Sequence, residues 1–257
     1  MSDRDIGLQQ SAIRPTWATL LILSFGAGST DAFAFTVLGG IFTANMTGNL
    51  ILIGLFERAH YLQTLVGAGI ALAVFAGAAF GAFRYLGVHA RRRPGRILAL
   101  LTTGAAVQVI VSVMWVCSNE KAGQTIIFVS IAISAVAMAL QTALARTIGA
   151  PVTTTFVTGT MVALLGDLAQ GRTQFWVQRV ATIVALVCGA TITSLVLIAD
   201  HTLAPLVPAV TALAAVVNHL IFQPAASPIK CAGPFAGHAP PGTNQSAKSI
   251  QRTGGTR

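Results

Sequence analysis

A single carboxylate lies well inside apolar sequence near the start of the chain. Asp31 belongs to the run Gly28-Ser29-Thr30-Asp31-Ala32. A charged side chain at membrane depth costs ~2.5–3.5 kcal/mol on insertion scales, which makes such a residue a functional candidate by default. Asp31 could therefore carry a proton that drives transport. The alternative is a structural carboxyl group that accepts hydrogen bonds from Ser29, Thr30 or a neighbouring helix.

Amide and hydroxyl side chains cluster a little further along, after Gly39 and Gly40. The run Ala44-Asn45-Met46-Thr47-Gly48-Asn49 holds several groups that need hydrogen bonds, and leaving such groups unpaired in lipid costs free energy. One interpretation is a helix broken at its glycines, whose loose turn and amides coordinate a small polar substrate. The other is an N-cap, in which Asn45 or Thr43 closes a new helix. The two interpretations are compatible with each other.

The same signature returns in the second half of the chain. Thr47-Gly48-Asn49 is followed 111 positions later by Thr158-Gly159-Thr160, and Asp31 is matched at that offset by Thr142. Two halves with an odd number of spans each have opposite orientations in the membrane, as in many secondary transporters. We therefore expect the two short segments that carry the signature to meet near the membrane midplane. The predicted substrate-binding or coupling residues are Asp31, Asn45, Thr47, Asn49, Thr158 and Thr160.

Two kinds of residue predict contacts between helices. Small residues at four-residue spacing let membrane helices approach closely, and they recur 112 positions apart in the two halves. Gln108 and Gln141 are polar residues within apolar segments, and we predict interhelical hydrogen bonds for both, with ligand contact as the alternative. The predicted packing residues are Ala73, Gly77, Gly81, Ala185 and Gly189.

The composition places all these residues in a membrane protein. Of the 257 residues, 54% are hydrophobic and only 9% are charged, with a mean hydropathy of +0.74. Soluble domains carry roughly 25% charged residues, because a surface that faces water needs them. The lipid bilayer is therefore the predicted partner of this surface. The net charge of +9 comes from few basic residues beside apolar segments, so it indicates membrane orientation rather than nucleic-acid binding.

The apolar segments are long enough for a polytopic bundle. A span needs ~20 apolar residues, and six of the eight segments reach that length, whereas 43–56 and 153–168 are shorter. We predict an all-α transmembrane helical bundle with six spans, seven being the alternative, plus two short re-entrant or broken helices and an inverted internal repeat. The segments are approximately 17–38, 43–56, 62–87, 97–117, 124–146, 153–168, 175–199 and 203–222.

The basic residues favour the six-span arrangement. With six spans, 11 Lys and Arg residues near the spans fall on one side and only Arg58 and Lys121 on the other, whereas eight spans give 6 against 7. The positive-inside rule then places both termini in the cytoplasm. Arg91, Arg92 and Arg93 are predicted to anchor this topology and to contact anionic lipid.

These predictions divide the chain into four parts. Residues 1–15 form a cytoplasmic segment, 16–118 and 119–223 are the two transmembrane repeats, and 224–257 are a disordered cytoplasmic tail rich in Pro, Gly and Ser. The sequence has no His/Glu metal spacing, no G-x-S-x-G motif and no phosphate loop. We therefore predict no metal, no cofactor and no enzyme activity. A secondary transporter of a small polar molecule is the favoured function. A structural or accessory membrane protein is the alternative, and an intramembrane enzyme is a weaker one. The sequence also allows a homo-oligomer.

The first half resembles a known family. The run GSTDAFAFTVLGGIFTANMTGNLILIG is similar to the signature of the YoaK-like bacterial membrane proteins, which are catalogued as a domain of unknown function. Gln141, Ala143, Arg146, Pro151 and the run 157–160 resemble its companion motif in the second half. The family usually has Asn where this chain has Thr142. The resemblance extends from Trp17 to Phe222 and implies a multi-pass inner-membrane protein, without naming a substrate.

Overall fold

A computed structural model describes residues 3–87, 94–118, 123–148, 157–173 and 175–222 of the chain, with only the backbone described for residues 3–16 and residue 148. These ranges hold eight helices and no strand. The predicted Arg91, Arg92 and Arg93 anchor and the predicted tail, 224–257, lie outside the described residues. The helices are α1 (Asp3–Val37), α2 (Met46–Gly54), α3 (Tyr61–Leu86), α4 (Pro94–Ser118), α5 (Gln124–Ile148), α6 (Val157–Ala169), α7 (Trp176–Ala199) and α8 (Leu206–Phe222).

Five of these helices are long and apolar enough to cross a membrane: α1 from Trp17 onward, α3, α4, α5 and α7. At 1.5 Å per residue, α2 with 9 residues is ~14 Å long and α6 with 13 residues is ~20 Å long. Both are shorter than the ~30 Å hydrocarbon core. The 17 residues of α8 extend ~26 Å. The chain is therefore a helical membrane protein, and its two short predicted segments are short helices.

The outer surface of the helices differs from that of a soluble protein, while the buried residues are mostly apolar. Large apolar side chains project outward, among them Ile198 with 83% of its surface exposed and Leu62 with 73%. Polar side chains are buried between the helices, including Ser29, Thr193 and Gln108. This arrangement suits a lipid surround, where outward apolar groups meet acyl chains and inward polar groups find partners in the protein.

Two helix pairs form the largest interfaces. α1 packs most extensively against α7, and α3 packs most extensively against α5. Further interfaces join α1 to α8, α4 to α5 and α4 to α8. The short helices are peripheral to these contacts, since α2 packs on α3 and α6 on α7.

The crossing of α1 and α7 is made possible by two glycines. A Cβ atom added at Gly28 would lie 2.0 Å from the Leu186 carbonyl oxygen, and one added at Gly189 would lie 2.0 Å from the Phe25 carbonyl oxygen. Beside this contact the hydroxyl oxygens of Ser29 and Thr193 are 2.6 Å apart. The two backbones therefore meet at van der Waals distance, which is closer than any residue with a side chain allows.

The structure divides the predicted packing residues into two groups. Gly189 lies at the α1–α7 crossing, and Ala185 is half-buried on the same helix. Ala73, Gly77 and Gly81 instead lie on an exposed face of α3, and a Cβ atom at either glycine would meet nothing within 4 Å. Within the described part of the chain, that ladder packs against no other helix. The predicted helix packing is therefore not observed at Gly77 and Gly81 within the described part of the chain.

The backbone leaves the first helix at its later glycines and not at those before Asp31. α1 continues through the glycines before Asp31 and ends at Val37, and the backbone then turns at Gly39 and Gly40, whose φ angles are +90° and +74°. Left-handed φ values of this kind favour glycine. The loop from Leu38 to Asn45 then leads into α2.

Candidate functional site

The Asp31 carboxylate holds the start of α2 against the end of α1. Its Oδ1 accepts hydrogen bonds from the backbone N–H groups of Thr43 and Ala44, both at 2.7 Å, and from the Thr43 hydroxyl at 3.3 Å. Its Oδ2 accepts a bond from the Asn45 N–H at 3.0 Å. These donors come just before a helix N-terminus, where backbone N–H groups lack partners within the helix. The partners are three main-chain N–H groups and the Thr43 hydroxyl of the following loop, rather than the predicted Ser29 or Thr30.

The two asparagines complete this loop. Asn49 is fully buried, and its amide accepts from the Phe42 N–H at 2.9 Å and donates to the Phe42 carbonyl at 2.6 Å. The Asn45 Oδ1 accepts from the Gly48 N–H at 3.2 Å, so Asn45 is the N-cap of α2. The N-cap interpretation of this motif is confirmed. The side chains of Asn45 and Thr47 are exposed.

The second signature is less complete in the described residues. Thr158 is exposed in the first turn of α6, whereas Thr160 is buried. Residues 149–156, which include the counterpart of the Asp31-bound loop, lie outside the described residues. At the other end of α6, Asp167 and the buried Arg179 of α7 form an ion pair at 2.5 Å, and Arg179 also donates to the Ala163 carbonyl at 2.7 Å.

A separate cavity lies between α1, α4, α5 and α8. Every described residue that lines it is uncharged, and most are apolar. The centre of a water molecule can move through ≈ 20 Å³ of this space. None of the six predicted substrate or coupling residues is among the lining residues. Its polar lining is Thr30, Gln108, Gln141 and Thr211.

Hydrogen bonds hold most of that polar lining in place. The Gln108 Nε2 donates to the Thr30 hydroxyl oxygen at 3.0 Å, and that hydroxyl donates to the Gly26 carbonyl at 2.8 Å. The Gln141 Nε2 donates to the Leu23 carbonyl at 2.6 Å. Both glutamines therefore form the predicted interhelical hydrogen bonds. The Gln108 Oε1 is buried and has no hydrogen-bond partner among the described residues.

Sequence reasoning missed this cavity although a signal for it was present. Thr30 and Gln141 are separated by 111 positions, the same offset as the Thr-Gly signatures, and so are the lining residues Gly26 and Ala137. The substrate site was predicted at α2 and α6 because the residues of the repeated Thr-Gly motif are polar and adjacent in the sequence. Thr30 and Gln141 differ in type, so their equivalence becomes visible only when they line one space.

The described residues contain no group of three or more His, Cys, Asp or Glu side chains placed to hold a metal ion. The chemistry available in the central cavity is thus hydrogen bonding from uncharged groups within an apolar surround.

Comparison with known proteins agrees with this architecture. The family model described as "Protein of unknown function (DUF1275)" matches residues 19–218. The UPF0700 transmembrane protein YoaK of Bacillus subtilis (strain 168) is 29% identical over 170 residues, which are 66% of this chain and 73% of that relative. No solved structure matches the chain. The resemblance to the YoaK-like proteins is confirmed, and since the family model runs from α1 into α8, the chain belongs to the DUF1275 family.

Proposed function

We propose that this protein is a secondary transporter of a small polar molecule, built from an inverted repeat of residues 16–118 and 119–223. The observation that carries the proposal is an uncharged cavity with four polar lining residues between four helices, at the centre of a symmetric pattern of helix contacts. Catalysis is no part of the proposal.

The helix contacts support the repeat. Exchanging α1 with α5, α2 with α6, α3 with α7 and α4 with α8 converts the α1–α7 interface into α5–α3. The same exchange converts α4–α5 into α8–α1 and α2–α3 into α6–α7, all of which are observed. The α4–α8 and α1–α5 contacts are converted into themselves. A pseudo-two-fold axis that produces this exchange passes through the space between those four helices.

The position of the cavity supports transport. The four helices that line it are the two self-exchanged pairs, which supports a cavity at the interface of the two proposed repeats. In transporters with inverted repeats, substrate sites lie near the midplane at the repeat interface, and alternating access comes from one repeat moving against the other. A structural or accessory protein needs interhelical hydrogen bonds but no space between the helices that make them.

The short helices have a different part in the proposal. The polar atoms of Asp31 and Asn49 bind the main chain of the 42–45 loop, which supports a role in fixing α2 to α1. Thr47 and Thr158 are exposed, so they remain the candidates for substrate contact outside the cavity. Asn45 and Thr160 complete the set of six candidate residues.

Transport is tested with purified protein in sealed liposomes. Solutes are first screened by thermal shift, because a ligand at 100 times its Kd stabilises the folded state by ~2.7 kcal/mol. We expect a solute that raises the melting temperature to enter the liposomes, and Thr30→Val to lower its uptake at least tenfold. Thr191→Val is the matched control, since Thr191 is exposed on α7 and donates only to the Val187 carbonyl at 2.9 Å. Binding without uptake, or equal uptake by both variants, would contradict the proposal.

We further propose six spans with both termini in the cytoplasm, the orientation that the 11 to 2 distribution of basic residues favours. Reporter fusions after Arg14 and after Phe222 measure the location of each end. Both should be active as cytoplasmic reporters and inactive as periplasmic ones. Opposite locations for the two ends would require an odd number of spans and would remove the symmetric division into two halves.

A further inference from the structure

We infer that the central cavity binds an uncharged hydrogen-bond donor of two or three heavy atoms, with the Gln108 Oε1 as its acceptor. This inference rests on the proposed function, since it names the substrate class of the same cavity. It follows from three properties of the described lining residues: an acceptor without a partner, the size of the space and the absence of charge among them.

The orientation of the Gln108 amide is fixed by its neighbours. The Thr30 hydroxyl donates to the Gly26 carbonyl at 2.8 Å, and its oxygen accepts from the Gln108 NH2 group at 3.0 Å. This orientation of the amide leaves the Oε1 as the group without a partner. A buried carbonyl oxygen without a hydrogen bond costs ~1–3 kcal/mol. A ligand that donates to it recovers this cost.

The other polar side chains of the cavity already have hydrogen-bond partners within the protein. The Gln141 Nε2 already donates to the Leu23 carbonyl, and the Thr211 hydroxyl already donates to the Pro208 carbonyl at 2.9 Å. Each of these groups has one acceptor within the protein, and each amide keeps a second N–H that can meet an acceptor atom of the ligand. The buried acceptor without a partner is the Gln108 Oε1, so the ligand must also supply an N–H or O–H group.

Size and charge narrow the ligand further. One water molecule needs ~10–15 Å³ of space for its centre, so ≈ 20 Å³ admits one or two waters or a molecule of two or three heavy atoms. An ion would lose its hydration without a counter-charge, because every described lining residue is uncharged. The Asp31 carboxylate is not part of the lining and already accepts from three backbone N–H groups. A neutral molecule therefore fits where an ion does not.

Three probes of equal heavy-atom count separate these properties. Formamide is neutral and donates, formate is an anion of the same size, and acetonitrile is neutral but has no N–H or O–H group. Each has carbon-bound protons, so saturation-transfer NMR on the protein in detergent reports binding of all three. Ligands this small bind weakly, so each is used at tens of millimolar. We expect saturation transfer to formamide only.

The matched variants are Gln108→Met and Gln63→Met. Both replace glutamine by an unbranched residue of similar length, but Gln63 lies at the exposed start of α3 and pairs with Gln124 at 3.0 Å. Gln108→Met should reduce the formamide signal at least fivefold, and Gln63→Met should leave it unchanged. The rate of formamide entry into proteoliposomes, measured by stopped-flow light scattering, should fall in Gln108→Met and stay unchanged in Gln63→Met.

The outcomes separate this inference from the proposed function. Saturation transfer to formate or acetonitrile equal to that to formamide overturns the inference, and so does an unchanged formamide signal in Gln108→Met. If that variant fails to fold, the comparison of the three probes on the natural protein still decides. Formamide binding that depends on Gln108 without formamide flux supports the site and contradicts transport. Uptake of another solute that is indifferent to Gln108→Met supports transport and contradicts the site.

Discussion

Gly28→Ala should lower the free energy of unfolding by ~3 kcal/mol or more, at the upper end of the range for overpacked cores. The added Cβ would lie 2.0 Å from the Leu186 carbonyl oxygen, and the obstacle is backbone rather than a side chain that can rotate away. The only relief is a separation of α1 from α7, which form one of the two largest helix interfaces. Gly189→Ala should have an effect of similar size, because its Cβ would meet the Phe25 carbonyl oxygen at the same distance.

Gly77→Ala is the matched control for these two variants. It makes the same change in the interior of a helix, but nothing lies within 4 Å of the added carbon. Alanine favours helix by ~1 kcal/mol over glycine, so this variant should be as stable as the natural protein or slightly more so. Thermal unfolding in detergent, read by circular dichroism, measures all three. The double variant Gly28→Ala/Gly189→Ala should cost less than the sum of the singles, since one separation of the helices relieves both contacts. Equal melting temperatures for Gly28→Ala and Gly77→Ala would contradict the close α1–α7 crossing.

The small residues also show where sequence reasoning reaches its limit. Gly77 and Gly189 are matched by the repeat and have the same spacing from their small neighbours, yet one is open to the surroundings and the other touches a backbone. A four-residue spacing says that a close approach is allowed on that helix face. It does not say which face meets a partner helix, because that depends on which helices from distant parts of the chain become neighbours in the folded bundle.

Hydropathy predicted the helices well because lipid imposes a simple requirement. A span must satisfy its own backbone hydrogen bonds and present apolar side chains over ~20 residues, and both properties are local. The short segments 43–56 and 153–168 were recognisable for the same reason, although α2 begins only at Met46, after its N-cap Asn45. The central cavity was not predictable in this way, because Thr30, Gln108 and Gln141 come together from three helices.

Asp31 was predicted as a functional residue from its unusual position. Its hydrogen-bond partners predict a different effect of Asp31→Asn from the one expected of a proton carrier. A proton carrier would keep its fold in this variant, because Asn preserves the size of the side chain. The structure instead gives the carboxylate three main-chain donors, from Thr43, Ala44 and Asn45. Asn has only one acceptor oxygen, so at least one of these donors would face an NH2 group. The negative charge near the N-terminus of α2, which favours that helix end, would also be lost.

We therefore expect Asp31→Asn to lower the free energy of unfolding by ~3 kcal/mol, since each bond to a charged acceptor contributes ~1.5–3 kcal/mol and Asn recovers part of the set. Glu57→Gln is the control, because it removes the charge of an exposed acid in the loop after α2. Thermal unfolding of the two variants measures the difference, and hydrogen exchange should show loss of protection at residues 43–49 in Asp31→Asn alone. A variant with natural stability whose transport no longer responds to pH would contradict the structural role and restore the proton carrier. Loss of stability with the pH response retained would assign Asp31 to the attachment of α2, leaving the chemistry of transport to the central cavity.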